Sequence, residues 1–250
     1  MDAHVLERAA VTGADHFKTH GYAVIDTPPL PEQVLDSFNN MPRDGHSLKR
    51  LRQIRLSQYF GYREEGQWIF ALLPQRKYVQ SAEYIRLAEA GGVMRHRERL
   101  ECDPSPLMIA ALDALPIDEN ESYHLNVNQI RVIANAEFKG VTVPEGPHRD
   151  GHEFSVIVIA GRHNVRGGET QVIDPVSRQI VHQQLLGENQ AVLIDDERYI
   201  HYATDIAPAQ GTVGHRDIWV IEINRWHKRA YGPAHERRAS EATLSVEATA

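Results

Sequence analysis

From about Tyr123 onward the chain breaks into short β-patterned runs, and this limits the fold more than any other feature of its 250 residues. The stretch from His124 to Ala134 alternates and is rich in Val, Ile and Asn, as a strand with two distinct faces does. Phe154 to Ala160 is nearly continuous apolar, the pattern of a strand buried on both sides. Thr170–Ile173, Ala191–Ile194 and Ile218–Ile223 follow, divided by Gly, Asn, Asp and Pro. Short strands punctuated by turn residues, without helices between them, predict a jelly roll or barrel rather than a βαβ sheet.

The first 120 residues read differently. Leu6 to Lys18 has helical periodicity, Gly21–Asp26 reads as a short strand, and Pro31 opens a helix to about Asn40. Two further helices are expected, at about Ser81–Ala90, stopped by Gly91-Gly92, and at about Pro106–Leu115. The expected organisation is one domain over residues 1–250: a mainly helical annex (1–120), a β core (121–228) and a loosely held tail (229–250), rich in Ala, Ser, Thr and Glu.

A formal charge of −7 argues against a nucleic-acid partner, which wants clustered Lys and Arg on one face. The basic segments Lys49–Arg52 and Arg95–Arg99 are short, and read as solvated helix faces. With the single cysteine, Cys102, no intramolecular disulfide forms. No apolar run approaches a membrane span and the first residues resemble no signal peptide, so a cytoplasmic protein with a small-molecule partner and no membrane association is expected.

Within the β region, His148-Arg149-Asp150 places a histidine and a carboxylate two residues apart, so that on a strand both point to one side. Pro144, Gly146, Pro147 and Gly151 exclude the helical pairing of His148 with His152 that zinc proteases use. His201, after an acidic turn at Asp195-Asp196, is the third candidate ligand. Two histidines and one carboxylate leave three positions open on an octahedral ion, the arrangement of non-haem Fe(II) oxygenases. His148, Asp150 and His201 are therefore the expected metal ligands and catalytic centre.

Arg216 shares a strand face with Ile218 and Val220, and a buried arginine must be paired, either with a nearby acid or with a ligand carboxylate. Gln129 and Arg131 share a face with Leu125 and Val127, and are either a hydrogen-bonded core pair or ligand contacts, Arg131 for a substrate carboxylate. His152 and Glu153 are candidates for the substrate side, Glu153 for an ammonium group. Tyr62, Trp68 and Phe70 either line a substrate pocket or pack in the core. The glycines of Arg166-Gly167-Gly168-Glu169-Thr170 serve a tight turn, not a phosphate loop.

These residues resemble the Fe(II)/2-oxoglutarate-dependent dioxygenases, and within them the bacterial branch that includes L-isoleucine hydroxylase and related free-amino-acid hydroxylases. The likeness rests on Asn128–Arg131, Pro144–Gly151, Gly167–Thr170, Asp195-Asp196 before His201, and Arg216-Asp217. It implies a cupin-like double-stranded β-helix with N-terminal helices, iron on His148, Asp150 and His201, and Arg216 on the distal carboxylate of 2-oxoglutarate. Fe(II), 2-oxoglutarate and O₂ are then the cofactors and co-substrates, giving succinate, CO₂ and a hydroxylated amino acid. Many relatives carry Ser or Thr two residues after the arginine, where this chain has Ile218; a second 2-oxoglutarate contact is expected from Gln129, Tyr123 or Thr204. The same iron site also suits desaturation, cyclisation or sulfoxidation, and a non-catalytic sensor of metal and 2-oxoglutarate is the reading outside enzymes. Halogenation is disfavoured because Asp150 is present.

Overall fold

The computed structural model describes residues 13–45, 51–88 and 90–229. Residues 13–20 are helical (α1), in line with the second half of the expected first helix. The first half of that helix, Lys49-Arg50, and the proposed tail from Ala230 lie outside the described residues. After α1 come β1 (Tyr22–Asp26), α2 (Glu32–Asp36) running into a 3₁₀ turn (Ser37–Asn40), β2 (Arg52–Glu64), β3 (Gln67–Leu72) and α3 (Ser105–Ala114). The β core contains β4 (Tyr123–Asn135), β5 (Phe154–His163), β6 (Val165–Gly167), β7 (Thr170–Ile173), β8 (Ile180–Gln184), β9 (Gln190–Asp195), β10 (Ile200–Ala203), β11 (Ile206–Pro208) and β12 (Val213–Arg225).

Seven strands form an antiparallel sheet in the order β1-β9-β5-β12-β4-β2-β3, and two small sheets, β10-β7-β8 and β11-β6, complete the barrel. One apolar cluster joins the large sheet to β7 and β11 through Ile130, Ile159, Val172, Val192, Ile206 and Ile218. A second covers the opposite face, where Phe17, Val34, Phe38, Leu107, Met108 and Leu112 of the helices meet Leu125, Val127, Leu193 and Trp219. The result is mostly β: a jelly-roll core with helices against one side of the large sheet.

Two expectations for the first third need correction. Arg52–Leu72 is a long hairpin that extends the large sheet, not part of a helical annex. Its turn, Glu65-Gly66, has φ of 49° and 80°, the two-residue geometry that matches strand twist. Arg, Gln and Glu along β2 disguised it as a solvated segment, yet Arg55, Ser57 and Gln58 are buried. The described residues of 81–90 form turns and no helix, because flanking bridges (Tyr78 with Arg95, Gln80 with Gly91) fold the segment back as a loop. Tertiary pairing overrides the local helical preference there.

Candidate iron and co-substrate site

Residues 146–151 enter β5 through two glycines in left-handed conformation, Gly146 and Gly151. Between them His148 forms an antiparallel bridge with His201 at the start of β10: His148 N–H donates to the His201 carbonyl at 3.1 Å, and His201 N–H returns a bond at 2.9 Å. This pair of hydrogen bonds holds the two histidines opposite each other, with ring centroids 4.6 Å apart. Asp150 reaches between them, Oδ1 3.3 Å from His148 Nε2 and Oδ2 3.3 Å from His201 Nε2. One ligand atom from each lies within 4.8 Å of the others.

The surroundings fix which atoms face inward. His148 Nδ1 lies 2.9 Å from the Gly146 carbonyl, the partner for an Nδ1–H donor, which leaves Nε2 as the lone-pair nitrogen. His201 Nδ1 lies 3.4 Å from Asp196. Asp196 also accepts the backbone N–H groups of Asp150, Gly151 and His152, so one buried carboxylate orients both the loop and the second histidine. Ser155 Oγ donates to Asp150 at 3.2 Å.

The electrostatics ask for a cation at this point. Burial works against charge on both partners. Even so, the Asp150 carboxylate holds the His201 imidazole up at about 10, while the two imidazoles hold Asp150 well below the usual carboxylate range. A proton on His201 thus supplies the positive charge that a metal ion would bring, and two Nε2 atoms with one carboxylate suit Fe(II).

The three residues open into a cavity lined by Ile54, Ile130, Ile157, Ile218 and Val220 on its apolar side, with Thr170, Arg216 and Glu222 among its polar walls. Arg216 is 1% exposed, and its Nε and Nη2 have no hydrogen-bond partner among the described residues. Burial, reinforced by Arg162 nearby, pushes this guanidinium down to about 9. Room for it comes from Gly168 (φ +77°), where a Cβ would stand 3.1 Å from Arg216 Cδ and from Arg162 Nη1. An uncompensated guanidinium in a cavity is a receptor for a carboxylate.

The other sequence candidates fall elsewhere. Arg131 and Gln129 face the helices: Arg131 forms a two-pronged ion pair with Asp217, both bonds 2.7 Å, and Gln129 donates to Ser37 Oγ. The face they share with Leu125 and Val127 is a buried one, but not the cavity side. Tyr123 sits on that face too, its hydroxyl exchanging bonds with the Asp118 backbone. Thr204 Oγ1 accepts from the N–H groups of Gly168 and Glu169, bracing the turn rather than lining the cavity. His152 is buried against Glu222 and Asn224, and Glu153 is held by Lys228 and the Arg225 backbone, on the outer side of the loop. Trp68 donates to Asp113 and packs with Phe70 against the helical face; neither they nor Tyr62 line the cavity.

The structure also brings in residues with no role in the sequence reading. Thr170 Oγ1 is buried, lines the cavity and has no partner among the described residues, which makes it the available hydroxyl in place of the one missing at Ile218. Glu222 continues the inward series 216, 218, 220; period two carried one step further finds it. It accepts from Tyr78, Asn126 and Asn128 and pairs with His152. Arg52, Gln80, Arg95 and Arg97 reach the cavity from β2 and the loop after β3, where no periodicity signals them.

A jelly roll with a His/Asp/His cluster beside a buried, unneutralised arginine defines a non-haem iron oxygenase scaffold that takes an anionic co-substrate. The chain belongs to the 2OG-Fe dioxygenase family, whose model matches residues 35–222. Its cofactors are accordingly Fe(II), 2-oxoglutarate and O₂, and His148, Asp150 and His201 are a set that could hold the iron. Similar folds occur in a bsmA homologue from Methylobium petroleophilum PM1 (24% identity, TM-score 0.70, 87% of this chain and 94% of that one). They occur also in a protein designated IDO from Bacillus thuringiensis (18% identity, TM-score 0.66, 87% and 96%). The Fe(II)/α-ketoglutarate-dependent dioxygenase TqaL is a third (11% identity, TM-score 0.60, 89% and 88%). Among curated proteins none matches the sequence. Among the described residues no helix is long and apolar enough to cross a membrane.

Proposed function

We propose that the protein hydroxylates an unactivated C–H bond of a small free L-amino acid or close derivative, with iron on His148, Asp150 and His201. The observation that carries the co-substrate half is Arg216, a buried cation that lines the cavity of the three candidate ligands and whose Nε and Nη2 meet no hydrogen-bond partner among the described residues. The resemblance of Asn128–Arg131 and Pro144–Gly151 to amino-acid hydroxylases supports the substrate half. Arg216 takes the distal carboxylate of 2-oxoglutarate, with Thr170 Oγ1 donating a second bond. Asp196 and the Gly146 carbonyl keep the two histidines aimed by holding the nitrogens that do not face Asp150. Ile130, Ile157, Ile218 and Val220 exclude water from the cavity, which strengthens the arginine–carboxylate attraction. The bound group supplies the oxidation: 2-oxoglutarate, O₂ and the C–H compound yield succinate, CO₂ and the alcohol, one oxygen atom going to each of succinate and product.

The test is incubation of the iron-loaded protein with 2-oxoglutarate, O₂ and a panel of free amino acids, with succinate and product mass as readouts. A gain of one oxygen on one panel member, lost in Asp150→Ala, is the expected result. Loss of two hydrogens from that member would assign desaturation or cyclisation to the same site. Absence of 2-oxoglutarate turnover, unchanged in Asp150→Ala, would overturn the oxygenase reading.

A further inference from the structure

The segment Arg95–Arg99 reads from sequence as a solvated helix face, but Arg95 and Arg97 are each 6% exposed and line the cavity. The arginines around this wall are not equivalent. Arg97 is ion-paired with the buried Asp44, and Arg55, behind the wall, with Glu98 and Glu101. Arg95 has no carboxylate within ion-pair distance among the described residues. Its Nη2 donates to the Gln80 side-chain carbonyl at 2.7 Å, its guanidinium lies over the Tyr78 ring, and its Nε has no partner. The backbones of Tyr78 and Arg95 exchange two bonds of 2.8 Å, so the residue is held by a bridge rather than by a mobile tip. Gln80 in turn lies 3.5 Å from Asp150 Oδ1, which places Arg95 one side chain from the candidate iron site.

Arg216 accounts for one carboxylate; Arg95 is a second cavity guanidinium with no acid in direct contact among the described residues, Glu145 and Asp44 acting on it only at longer range, and it calls for a second anion. On the loop before His148, Glu145 is half-buried, lines the same cavity and makes no hydrogen bond or ion pair among the described residues. Glu222, the other cavity acid, is already engaged by Tyr78, Asn126, Asn128 and His152 and has little capacity left. We propose that Arg95 and Glu145 receive the charged head group of the substrate, Arg95 taking its carboxylate and Glu145 its ammonium. This rests on the proposed amino-acid chemistry, and it assigns that recognition to residues other than Arg131 and Glu153.

The test is calorimetry on the full chain loaded with Mn(II) and 2-oxoglutarate under argon. The probes are the tightest-binding of the twenty free L-amino acids, its carboxamide and its desamino acid. In the wild type the amide and the desamino acid bind more weakly than the amino acid. Arg95→Gln weakens the amino acid about 100-fold and the amide hardly at all, while 2-oxoglutarate affinity stays within about threefold and reports an intact fold. Arg95→Lys, keeping the charge but not the fork, recovers part of the loss and restores the preference for acid over amide. Glu145→Gln weakens the amino acid about tenfold and leaves the desamino acid unchanged. Equal affinity for acid and amide in the wild type, or an unchanged affinity in Arg95→Gln, overturns the assignment. If no amino acid binds but desamino acids do so through Arg95, the amino-acid reading and the Glu145 role fall, and the anion site stands. If 2-oxoglutarate binds and no carboxylate probe does, the head-group site falls while the co-substrate reading survives.

Discussion

Arg131 and Arg216 lie almost side by side on neighbouring strands, Asp217 opposite Arg131 and Arg216 opposite Val132, yet they face opposite sides of one sheet. On the helix side Arg131 is clamped by Asp217 and stacked over Phe38, so its charge is neutralised by the fold itself. On the cavity side Arg216 is more deeply buried and has no acid paired with it among the described residues. An internally matched charge is structure; an unmatched one, kept at a cost in desolvation, is a binding site.

That contrast is broken most sharply by removing one member on each side. Asp217→Ala strands Arg131 and should cost about 3–5 kcal/mol of stability in urea unfolding, with 2-oxoglutarate affinity unchanged in the folded fraction. Arg216→Met should do the reverse: 2-oxoglutarate affinity falls about 100-fold, and the thermal midpoint of the ligand-free protein holds or rises because an uncompensated cation is gone. A large loss of stability in Arg216→Met with normal 2-oxoglutarate binding would show that the two arginines are alike.

The site side also contains His124, buried, with neither ring nitrogen partnered among the described residues. Burial, helped by His152, Arg76 and Arg229, pushes its imidazole down to about 3. The unfolded chain binds this proton near pH 6.5, whereas the native state stays neutral until about pH 3. The stability it contributes is therefore complete above pH 6.5 and declines as the pH is lowered toward 3. His124→Phe should remove roughly 2–3 kcal/mol of the loss in stability between pH 7 and 4.5. An unaltered acid limb would mean that this end of the sheet is as well matched as the helix side.

Much of the fold was open to reading because it is local. The strands β4, β5, β7, β9 and β12 announce themselves by period and turn residues, and His148-x-Asp150 owes its geometry to a two-residue spacing between glycines. What failed was the choice of face. Both sides of β4 are buried, so apolar neighbours told that Gln129 and Arg131 point inward but not into which interior. Arg95 and Gln80 were beyond reach for another reason: bridges across a loop place them, and the bare string Arg-His-Arg-Glu-Arg is as compatible with a wet helix.

Within the site side, Asp196 separates holding a ligand from being one. Its carboxylate organises three backbone N–H groups and His201, so Asp196→Asn retains the shape while weakening the acceptor. A 10- to 100-fold loss of Fe(II) or Mn(II) affinity is expected by competitive chelator titration, with 2-oxoglutarate affinity at saturating metal little changed. Loss of 2-oxoglutarate binding at saturating metal would place Asp196 in contact with the co-substrate instead.

The smallest effect belongs to the helix side. Gln129 donates to Ser37 at 2.6 Å across the joint between β4 and the first helices, and its carbonyl oxygen is buried without a partner among the described residues. Ser37→Ala removes the acceptor and should cost about 1 kcal/mol in unfolding, as a lost internal hydrogen bond does. Because this side chain faces away from the cavity, neither 2-oxoglutarate affinity nor coupled turnover should change. A Ser37→Ala protein with near-normal stability but weakened 2-oxoglutarate binding would instead connect Gln129 to the co-substrate through the sheet, and the division between the two faces would no longer hold.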